Sequence, residues 1–243
     1  MLYSQERTLA AATESGALAV APDGSIAWTE SGLSHLAAWS PRVSLGAFAG
    51  GGAPRPLLAT CHWHGHRGEG RVLLWDAACL RGAAPVAPAR RLEGFRGKVE
   101  CLHFCIVAHD EDCDEGASGE SALMAVASSD GTVRVYDIGE GACVLELVDE
   151  HSLGPGRSAA VYACALCARG ARCLLATGGV DGVARVFDAE EGECLARLPA
   201  GGGHHVKQLA WSPCGGLLCS AGGADRAFLW STADMWGCEP SDD

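Results

Sequence analysis

The chain has 243 residues, of which 48% are hydrophobic, and a formal net charge of −12 at pH 7. That length and composition allow a buried core and exclude a disordered tail. The acidic balance argues against direct nucleic-acid binding, because proteins that bind the phosphate backbone present basic surfaces. No apolar run approaches the roughly 20 residues of a membrane-spanning helix, so we expect no membrane insertion.

The thirteen cysteines and the first residues bear on the compartment. The opening MLYSQERTLAAATESG lacks a basic segment followed by a sustained apolar core, so it does not resemble a secretory signal. Several cysteines fall within predicted strands, where a buried thiol behaves as a small hydrophobic residue. We therefore predict reduced thiols and a cytoplasmic or nuclear protein, not a disulfide scaffold.

In chain order, the first predicted unit is a degenerate group of three strands at residues 8–29. After it, the chain repeats one pattern four times: an apolar strand, a tight polar turn, and a second strand that ends in an aromatic residue. The copies are LLATCHWHGHRGEGRVLLWD (57–76), LMAVASSDGTVRVYD (123–137), LLATGGVDGVARVFD (174–188) and LLCSAGGADRAFLWS (217–231). Their last residues lie 61, 51 and 43 positions apart, which converges on the length of a four-stranded propeller blade.

One further apolar strand precedes each copy, and a fourth strand follows the first three copies. Asp-Gly pairs at 130–131 and 181–182 supply the positive φ that tight hairpins require. We predict a single domain over residues 1–243. Its parts are a partial blade at 8–29, blades at 35–93, 99–148 and 158–198, an incomplete last blade at 204–231, and a polar tail at 232–243.

This strand order, with an aromatic-Asp pair or a close variant at the end of the third strand, resembles the WD-repeat family of β-propellers. The resemblance covers roughly residues 35–231 and is most specific in LLATGGVDGVARVFD and HVKQLAWSPCGGLLCSAGGADRAFLW. It implies an all-β WD-repeat propeller that is partial, with about five blades where a closed ring of the family has about seven. An incomplete gene model, a fragment and an open arc are all interpretations of that number.

The family's structural tetrad links a His before the first strand, a Ser or Thr and an Asp near the central hairpin, and a Trp in the third strand. The resemblance implies two sets of candidates. They are His151, Thr177, Asp181 and Phe187 in one copy, and His204 or His205, Ser220, Asp225 and Trp230 in the next. Phe95 replaces the usual His in an earlier copy, and Tyr136 and Phe187 replace the usual Trp. These changes weaken polar links between strands and leave the apolar pattern intact.

Loops on a rigid repeat scaffold are where recognition usually occurs. The rim that carries the hairpin turns is predicted to present His62, Trp63, His64, Asp130, His151, Asp181, His204 and Asp225. Trp63 is the predicted anchor, because a large amphipathic ring contributes much contact energy. We therefore predict a non-catalytic scaffold without a cofactor, which binds other proteins within a multiprotein complex.

Three clusters allow other chemistry. In CHWHGH, His62, His64 and His66 alternate on one side of an extended segment, about 6–7 Å apart, which suits a transition metal. No Asp, Glu or Cys partner has a recognisable ligand spacing, so a solvated hairpin loop is the favoured interpretation. Cys164 and Cys167 have C-x-x-C spacing, for which core thiols are the simpler interpretation. The acidic run at 109–115 begins like a calcium loop but lacks its Gly and final Glu, which favours a solvated insertion or a docking element for a basic partner.

No P-loop, nucleophile elbow or H-E-x-x-H motif is present. An enzyme or regulator hosted by the propeller, of hydrolase or nucleotide-exchange type, is the main alternative, with CHWHGH as its site. A substrate receptor for cullin-based ubiquitin ligases is a further alternative. That role in the family usually uses an Arg two residues after the aromatic-Asp pair, where this chain has Ala78, Gly139, Glu190 and Ala233.

Overall fold

The fold was analysed in a computed structural model. The structure describes residues 2–3, 9–13, 16–20, 26–28, 34–43, 55–64, 69–76, 87–108, 120–148, 150–151, 159–200, 204–223 and 226–236, with side chains mainly from Leu57 onward. Within these ranges, no helix is long and apolar enough to cross a membrane.

The described strands form five antiparallel sheets, numbered here as blades 1 to 5 in chain order. Blade 1 contains β1 (Leu2–Tyr3), β2 (Leu9–Thr13), β3 (Gly16–Val20) and β4 (Ile26–Trp28). Blade 2 contains β5 (Ser34–Val43), β6 (Arg55–His64), β7 (Glu69–Asp76) and β8 (Arg90–Phe95). Blade 3 contains β9 (Val99–Ala108), β10 (Glu120–Ser128), β11 (Thr132–Asp137) and β12 (Cys143–Val148). Blade 4 contains β13 (Val161–Arg169), β14 (Arg172–Gly179), β15 (Ala184–Asp188) and β16 (Cys194–Leu198), and blade 5 contains β17 (Val206–Trp211), β18 (Leu217–Gly222) and β19 (Ala227–Ser231).

Each blade is a meander in which strands adjacent in sequence pair with each other. The central pair of blade 4 runs from Leu174 opposite Asp188 to Gly178 opposite Ala184, and blade 3 repeats that register. In both blades the pairing of the third strand with the fourth also shifts register just before the aromatic residue of the third strand. Residues at matching positions of the sequence repeat therefore occupy matching positions in space.

The core lies between neighbouring blades. Leu74, Val135 and Val186 occupy the same position in the third strands of blades 2, 3 and 4, and all three are buried. Each belongs to a cluster that contains side chains of the following blade. Burial of one such side chain stabilises the fold by about 1.5–3 kcal/mol, and the repeat multiplies that gain along the arc. The third strands carry apolar residues on both faces because blades pack on both sides of them, with Arg134 and Arg185 among the charged exceptions.

The prediction of an all-β, partial propeller with about five blades is confirmed. Blade 1 has four strands where the sequence predicted three, because Leu2–Tyr3 pairs with Leu9–Ala10. The chosen domain boundaries stay a prediction.

The polar tail predicted from residue 232 onward needs correction. Residues Ala233–Trp236 form a short 3-10 helix, and Trp236 is only 5% exposed. The indole Nε1 of Trp236 donates to the carbonyl oxygen of Gly215 at 2.9 Å, and its ring meets Trp211 edge-on. The indole therefore closes the core under blade 5, and a prediction from the average polarity of the segment missed it.

We expect Trp236→Ala to lower the free energy of unfolding by about 3–5 kcal/mol, because it leaves a cavity in the core and removes one of the two hydrogen bonds to the carbonyl oxygen of Gly215. The matched control is Val148→Ala, which truncates a side chain that is largely exposed on β12 and should change stability by no more than about 0.5 kcal/mol. Urea melts followed by circular dichroism measure both. Equal midpoints would contradict the assignment of Trp236 to the core.

Candidate binding rim and its hydrogen-bonded turns

The candidate site is the edge of the blades at which the second strand turns into the third. We call it the hairpin rim; its described residues are 63, 95–98, 128–132, 150–151, 179–183, 204–205 and 222–223. In blades 3 to 5 the loop before the first strand lies on this turn.

The same backbone hydrogen bond fixes that loop in all three blades. The amides of Ser129, Val180 and Gly223 donate to the carbonyl oxygens of Lys98, Ala160 and His205, at 2.8, 3.0 and 3.1 Å. These donors are equivalent positions of the repeat, as are the acceptors. The rim is therefore built from one unit, used three times, and its turns are held by the backbone as well as by side chains.

Blade 4 adds a buried network of four side chains to this unit. The Nδ1 atom of His151 lies 2.8 Å from Oδ1 of Asp181, and Nε2 lies 2.8 Å from the hydroxyl of Thr177. Nη1 of Arg185 donates to Oδ2 of Asp181 at 2.6 Å and lies 2.8 Å from Nδ1 of His151. Since Nδ1 faces both a carboxylate and a guanidinium, it either donates to the first or accepts from the second. The network links the loop, the turn and the third strand.

The structure thus brings His151, Thr177 and Asp181 together, as the resemblance implied. Phe187 is buried and has no polar group to contribute to the network. Arg185 was missed. The available signal was its position four residues after the turn Asp, a spacing repeated by Asp130 and Arg134 in blade 3.

Burial by itself would raise the pKa of Asp181. The hydrogen bond and charge of His151, followed by those of Arg185, outweigh burial and hold the pKa of Asp181 below its ordinary value. The carboxylate is therefore kept ionised in the rim, where loss of either partner would leave it poorly compensated.

Blade 2 reaches a similar arrangement by a different route. The indole Nε1 of Trp75 donates to the hydroxyl of Thr60 at 2.9 Å, and that hydroxyl lies 2.8 Å from Nε2 of His62. Thr60 and Thr177 are equivalent in the repeat, so blades 2 and 4 both have a threonine hydroxyl 2.8 Å from Nε2 of an imidazole. In blade 4 the imidazole comes from the preceding loop, whereas in blade 2 it comes from the strand itself.

Gly179 explains why a blade uses either a loop histidine or a strand histidine, and not both. Gly179 occupies the position that His62 holds in blade 2, and a Cβ there would lie 3.3 Å from the His151 ring and 2.6 Å from the carbonyl oxygen of Ala160. A side chain at that position therefore competes with a loop histidine for the same space.

This geometry corrects the prediction for CHWHGH. His62 has 0% of its surface exposed and is not presented at the rim, because β6 continues through His64 instead of opening into a solvated loop. Trp63 is half-buried, His64 is described only by its backbone, and His66 lies outside the described residues. Among the described residues, no group of three or more His, Cys, Asp or Glu side chains could hold a metal ion.

In blade 3 a backbone amide does the work of the missing histidine. Oδ2 of Asp130 accepts from the amide of Arg96 at 2.8 Å, and Oδ1 accepts from the amide of Thr132 at 3.0 Å. Phe95 is buried, and the guanidinium of Arg134 lies 4.6 Å from the centre of its ring. Asp130 is thus a partly exposed turn residue with a structural task.

In blade 5 only part of the expected tetrad is present. Trp230 donates to the hydroxyl of Ser220 at 3.0 Å. His204 and His205 are both exposed, and the ring of His205 lies against Tyr162, 5.7 Å between centroids. Because its ring turns to Tyr162, His205 takes no place in a buried tetrad. Asp225 lies outside the described residues.

The predicted rim residues therefore fall into two groups. His62 and His151 are buried, support the turns and are not available to a partner. Asp181 is partly exposed, and both oxygens of its carboxylate are engaged by His151 and Arg185. Trp63, Asp130, His204 and His205 are partly or fully exposed.

The cysteines that raised the question of redox chemistry lie in the blade interfaces. Cys164 and Cys167 are both buried and free. Sγ of Cys101 lies 3.4 Å from the carbonyl oxygen of Cys164, across the contact between β9 and β13. The hydrogen bond from the Cys164 thiol outweighs burial and lowers the pKa of Cys101 to about 7.

We expect Asp181→Ala to lower the free energy of unfolding by about 1–3 kcal/mol, because it removes the acceptor of a buried network. Asp114→Ala, in the acidic run outside the described residues, and Glu140→Ala, on the exposed turn of blade 3, should each cost no more than about 0.5 kcal/mol. Urea melts measure all three, and coincident midpoints would contradict the network.

The cost of Asp181→Asn should depend on pH. A carboxylate whose folded pKa is depressed stabilises the fold above its unfolded pKa, about 4, and this contribution is lost as pH falls through the folded pKa. The stability difference between wild type and Asp181→Asn should therefore shrink from pH 7 to pH 3. Glu140→Gln is the control, and a difference for Asp181→Asn that does not change with pH would refute the assignment.

A double-mutant cycle tests the blade 2 network. Thr60→Val leaves the indole N–H of Trp75 without its acceptor and should cost about 1–3 kcal/mol. Trp75→Phe removes that donor, so the double variant should be less destabilised than the sum of the single variants by about 1 kcal/mol. Thr60→Val combined with Trp211→Phe, whose indole bonds Ala165 instead, is the control and should be additive. Additivity in both cycles would contradict the coupling.

Known proteins share features of this architecture. Residues 192–231 match the family model of the WD domain, G-beta repeat. The match covers β16 to β19, which is the fourth strand of blade 4 followed by the three strands of blade 5.

The chain is similar to a curated human protein and to two solved structures. Human WD repeat and SOCS box-containing protein 1 is 25% identical over 112 residues, which are 46% of this chain and 25% of that protein. A chain in the crystal structure of the mitotic checkpoint complex has a TM-score of 0.64 at 20% identity, covering 96% of this chain and 59% of its own length. The computationally designed Ika4 protein has a TM-score of 0.48 at 18% identity, covering 72% of this chain and 84% of its own.

The chain thus spans a quarter of the human relative and about three fifths of the structural neighbour. The blade architecture and the repeated turn unit agree with the structural neighbour: the chain has the β-propeller fold, and its residues 192–231 match a WD repeat.

Proposed function

We propose that this chain is a non-catalytic scaffold that binds other proteins through the hairpin rim. The observation that carries the proposal is the repeated unit of the rim, in which a backbone hydrogen bond fixes the loop on the turn in three successive blades. A surface that is already ordered loses little conformational entropy when it binds a partner.

The exposed side chains of the rim have the chemistry of an interaction surface. Trp63 provides a large ring at the extended hairpin of blade 2, Arg96 is exposed in blade 3, and His204 and His205 are exposed in blade 5. Trp, Tyr and Arg are the residues that contribute most to protein interfaces. The buried networks beneath them hold the turns and contribute no surface of their own.

The repeat family supports a role in protein interaction, and the structural neighbour belongs to a mitotic checkpoint complex. We accordingly propose that this chain also acts within a multiprotein complex. The reduced thiols of the core are consistent with the cytoplasmic or nuclear compartment expected from the sequence.

Affinity purification with quantitative mass spectrometry tests the rim. Trp63→Ala combined with His64→Ala should reduce recovery of at least one partner about tenfold or more, the effect of losing an interface anchor. The matched control is Val144→Ala, which removes an exposed apolar side chain from the outer strand of blade 3, at the end of β12 away from the rim. An interactome unchanged by the rim variant would refute the proposal.

The enzyme alternative has its own readout. Hydrolysis of an ester or phosphate substrate by the purified chain, with activity lost in His62, His64 or His66 variants, would replace the scaffold function by a catalytic one.

A further inference from the structure

Two strands of neighbouring blades place a pair of thiols against each other. β9 is the first strand of blade 3, and β13 is the first strand of blade 4. Sγ of Cys101 on β9 lies 3.4 Å from the carbonyl oxygen of Cys164 on β13, and Sγ of Cys164 lies 3.8 Å from the carbonyl oxygen of Cys101. The contact is reciprocal, so each thiol lies against the other residue.

The alignment of the two strands holds this contact in place. Two positions after Cys101, Nδ1 of His103 accepts from the amide of Leu166 at 3.1 Å, and Leu166 lies two positions after Cys164. Side chains two apart on a strand face the same side. The same face of β9 therefore meets β13 at both points. Blades 3 and 4 are four-stranded sheets with a described blade on either side, so both walls of this seam are present in the described residues.

The two thiols differ in their surroundings. Cys101 is partly exposed, whereas Cys164 is buried. The hydrogen bond from the Cys164 thiol outweighs burial and lowers the pKa of Cys101 to about 7, while that same bond and burial raise the pKa of Cys164 well above its ordinary value. Cys101 is therefore partly ionised near neutral pH, and the thiolate is the form that reacts.

We propose that Cys101 and Cys164 are an oxidation site at which a peroxide converts the two thiols to a disulfide between blades 3 and 4. The Cys101 thiolate attacks hydrogen peroxide, so that an S–O bond forms and the O–O bond breaks. The products are a sulfenic acid on Cys101 and hydroxide, which takes up the proton that Cys101 lost. The sulfur of Cys164 then displaces the hydroxyl group of the sulfenic acid, and the thiol proton leaves with that group as water. The two thiols together lose the two electrons that the peroxide gains.

A second pair of thiols at this seam provides the comparison. Cys105 is partly exposed on β9 and is hydrogen-bonded to the thiol of Cys173, which lies on β14. β9 lies against β13, and β14 is one strand further away. A disulfide requires Cα atoms no more than about 7 Å apart, so the pair on adjacent strands should close first.

Peptide mapping of the purified chain tests the proposal. The reduced protein is treated with hydrogen peroxide, its remaining thiols are alkylated, and it is digested without reductant. Chymotrypsin cuts after Leu102 and Leu166, which separates each cysteine of the pair from the next one in the chain. We expect one main linkage, within a single molecule, between Cys101 and Cys164, and dithiothreitol should reverse it.

Variants separate the attacking thiol from its partner. Cys101→Ser should slow the loss of the Cys164 thiol about tenfold or more, because the remaining thiol is buried and protonated. Cys164→Ser should leave Cys101 as a sulfenic acid, which dimedone traps. The matched control is Cys105→Ser, on the same strand and also partly exposed, which should leave the rate of linkage unchanged. Melting curves verify folding, and Cys164→Ala is the second variant, since it introduces no buried hydroxyl.

The disulfide should also change stability. It would join residues 63 positions apart in the chain, which restricts the unfolded state. We expect the melting temperature to rise by about 5 °C or more after oxidation, to return on reduction, and to be unaffected by peroxide in Cys101→Ser.

Four results would each overturn the proposal. They are no linkage at peroxide amounts that oxidise the exposed Cys143, a linkage of Cys105 to Cys173 in its place, a linkage between two molecules, and unchanged loss of the Cys164 thiol in Cys101→Ser. None of these readouts uses a partner of the rim, so failure of this inference and failure of the proposed function are distinguishable.

Discussion

The packing of each third strand against the following blade is the interaction on which the rest of this structure depends. Leu74, Val135 and Val186 fill the same position in three successive blades and are buried by the next one. A single blade is too thin to bury both faces of its central strands, so it becomes stable only when it has a neighbour.

This apolar contact is constant, whereas the groups that hydrogen-bond the polar residues of the rim differ from blade to blade. Blade 4 uses a loop histidine with a threonine, an aspartate and an arginine, and blade 2 uses a strand histidine in its place. Blade 3 has Phe95 in place of the loop histidine, and a backbone amide serves its aspartate. Because hydrogen-bond donors of several kinds satisfy the same acceptor, these sites can exchange residues while the blade keeps its shape.

For function, the consequence is that some rim residues hold the turns in place while others are exposed to a partner. Residues that are conspicuous in the sequence, such as His62 and His151, lie inside and fix the turns. The residues left at the surface are fewer, with Trp63 and His204 among them, and they stand on turns whose backbone is already bonded. Recognition through such a surface depends on which side chains the rigid turns present.

The sequence by itself determined the repeat, the strand order and the position of the hairpins, because alternation of apolar residues and Asp-Gly turns are local properties of the chain. It also predicted that His151, Thr177 and Asp181 meet, through the spacing shared with a known family. Only the tertiary structure decided that His62 is buried, that Arg185 joins the Asp181 network and that Trp236 closes the core. Each of these depends on what an adjacent strand or loop leaves room for, such as the space beside Gly179, and no local pattern carries that information.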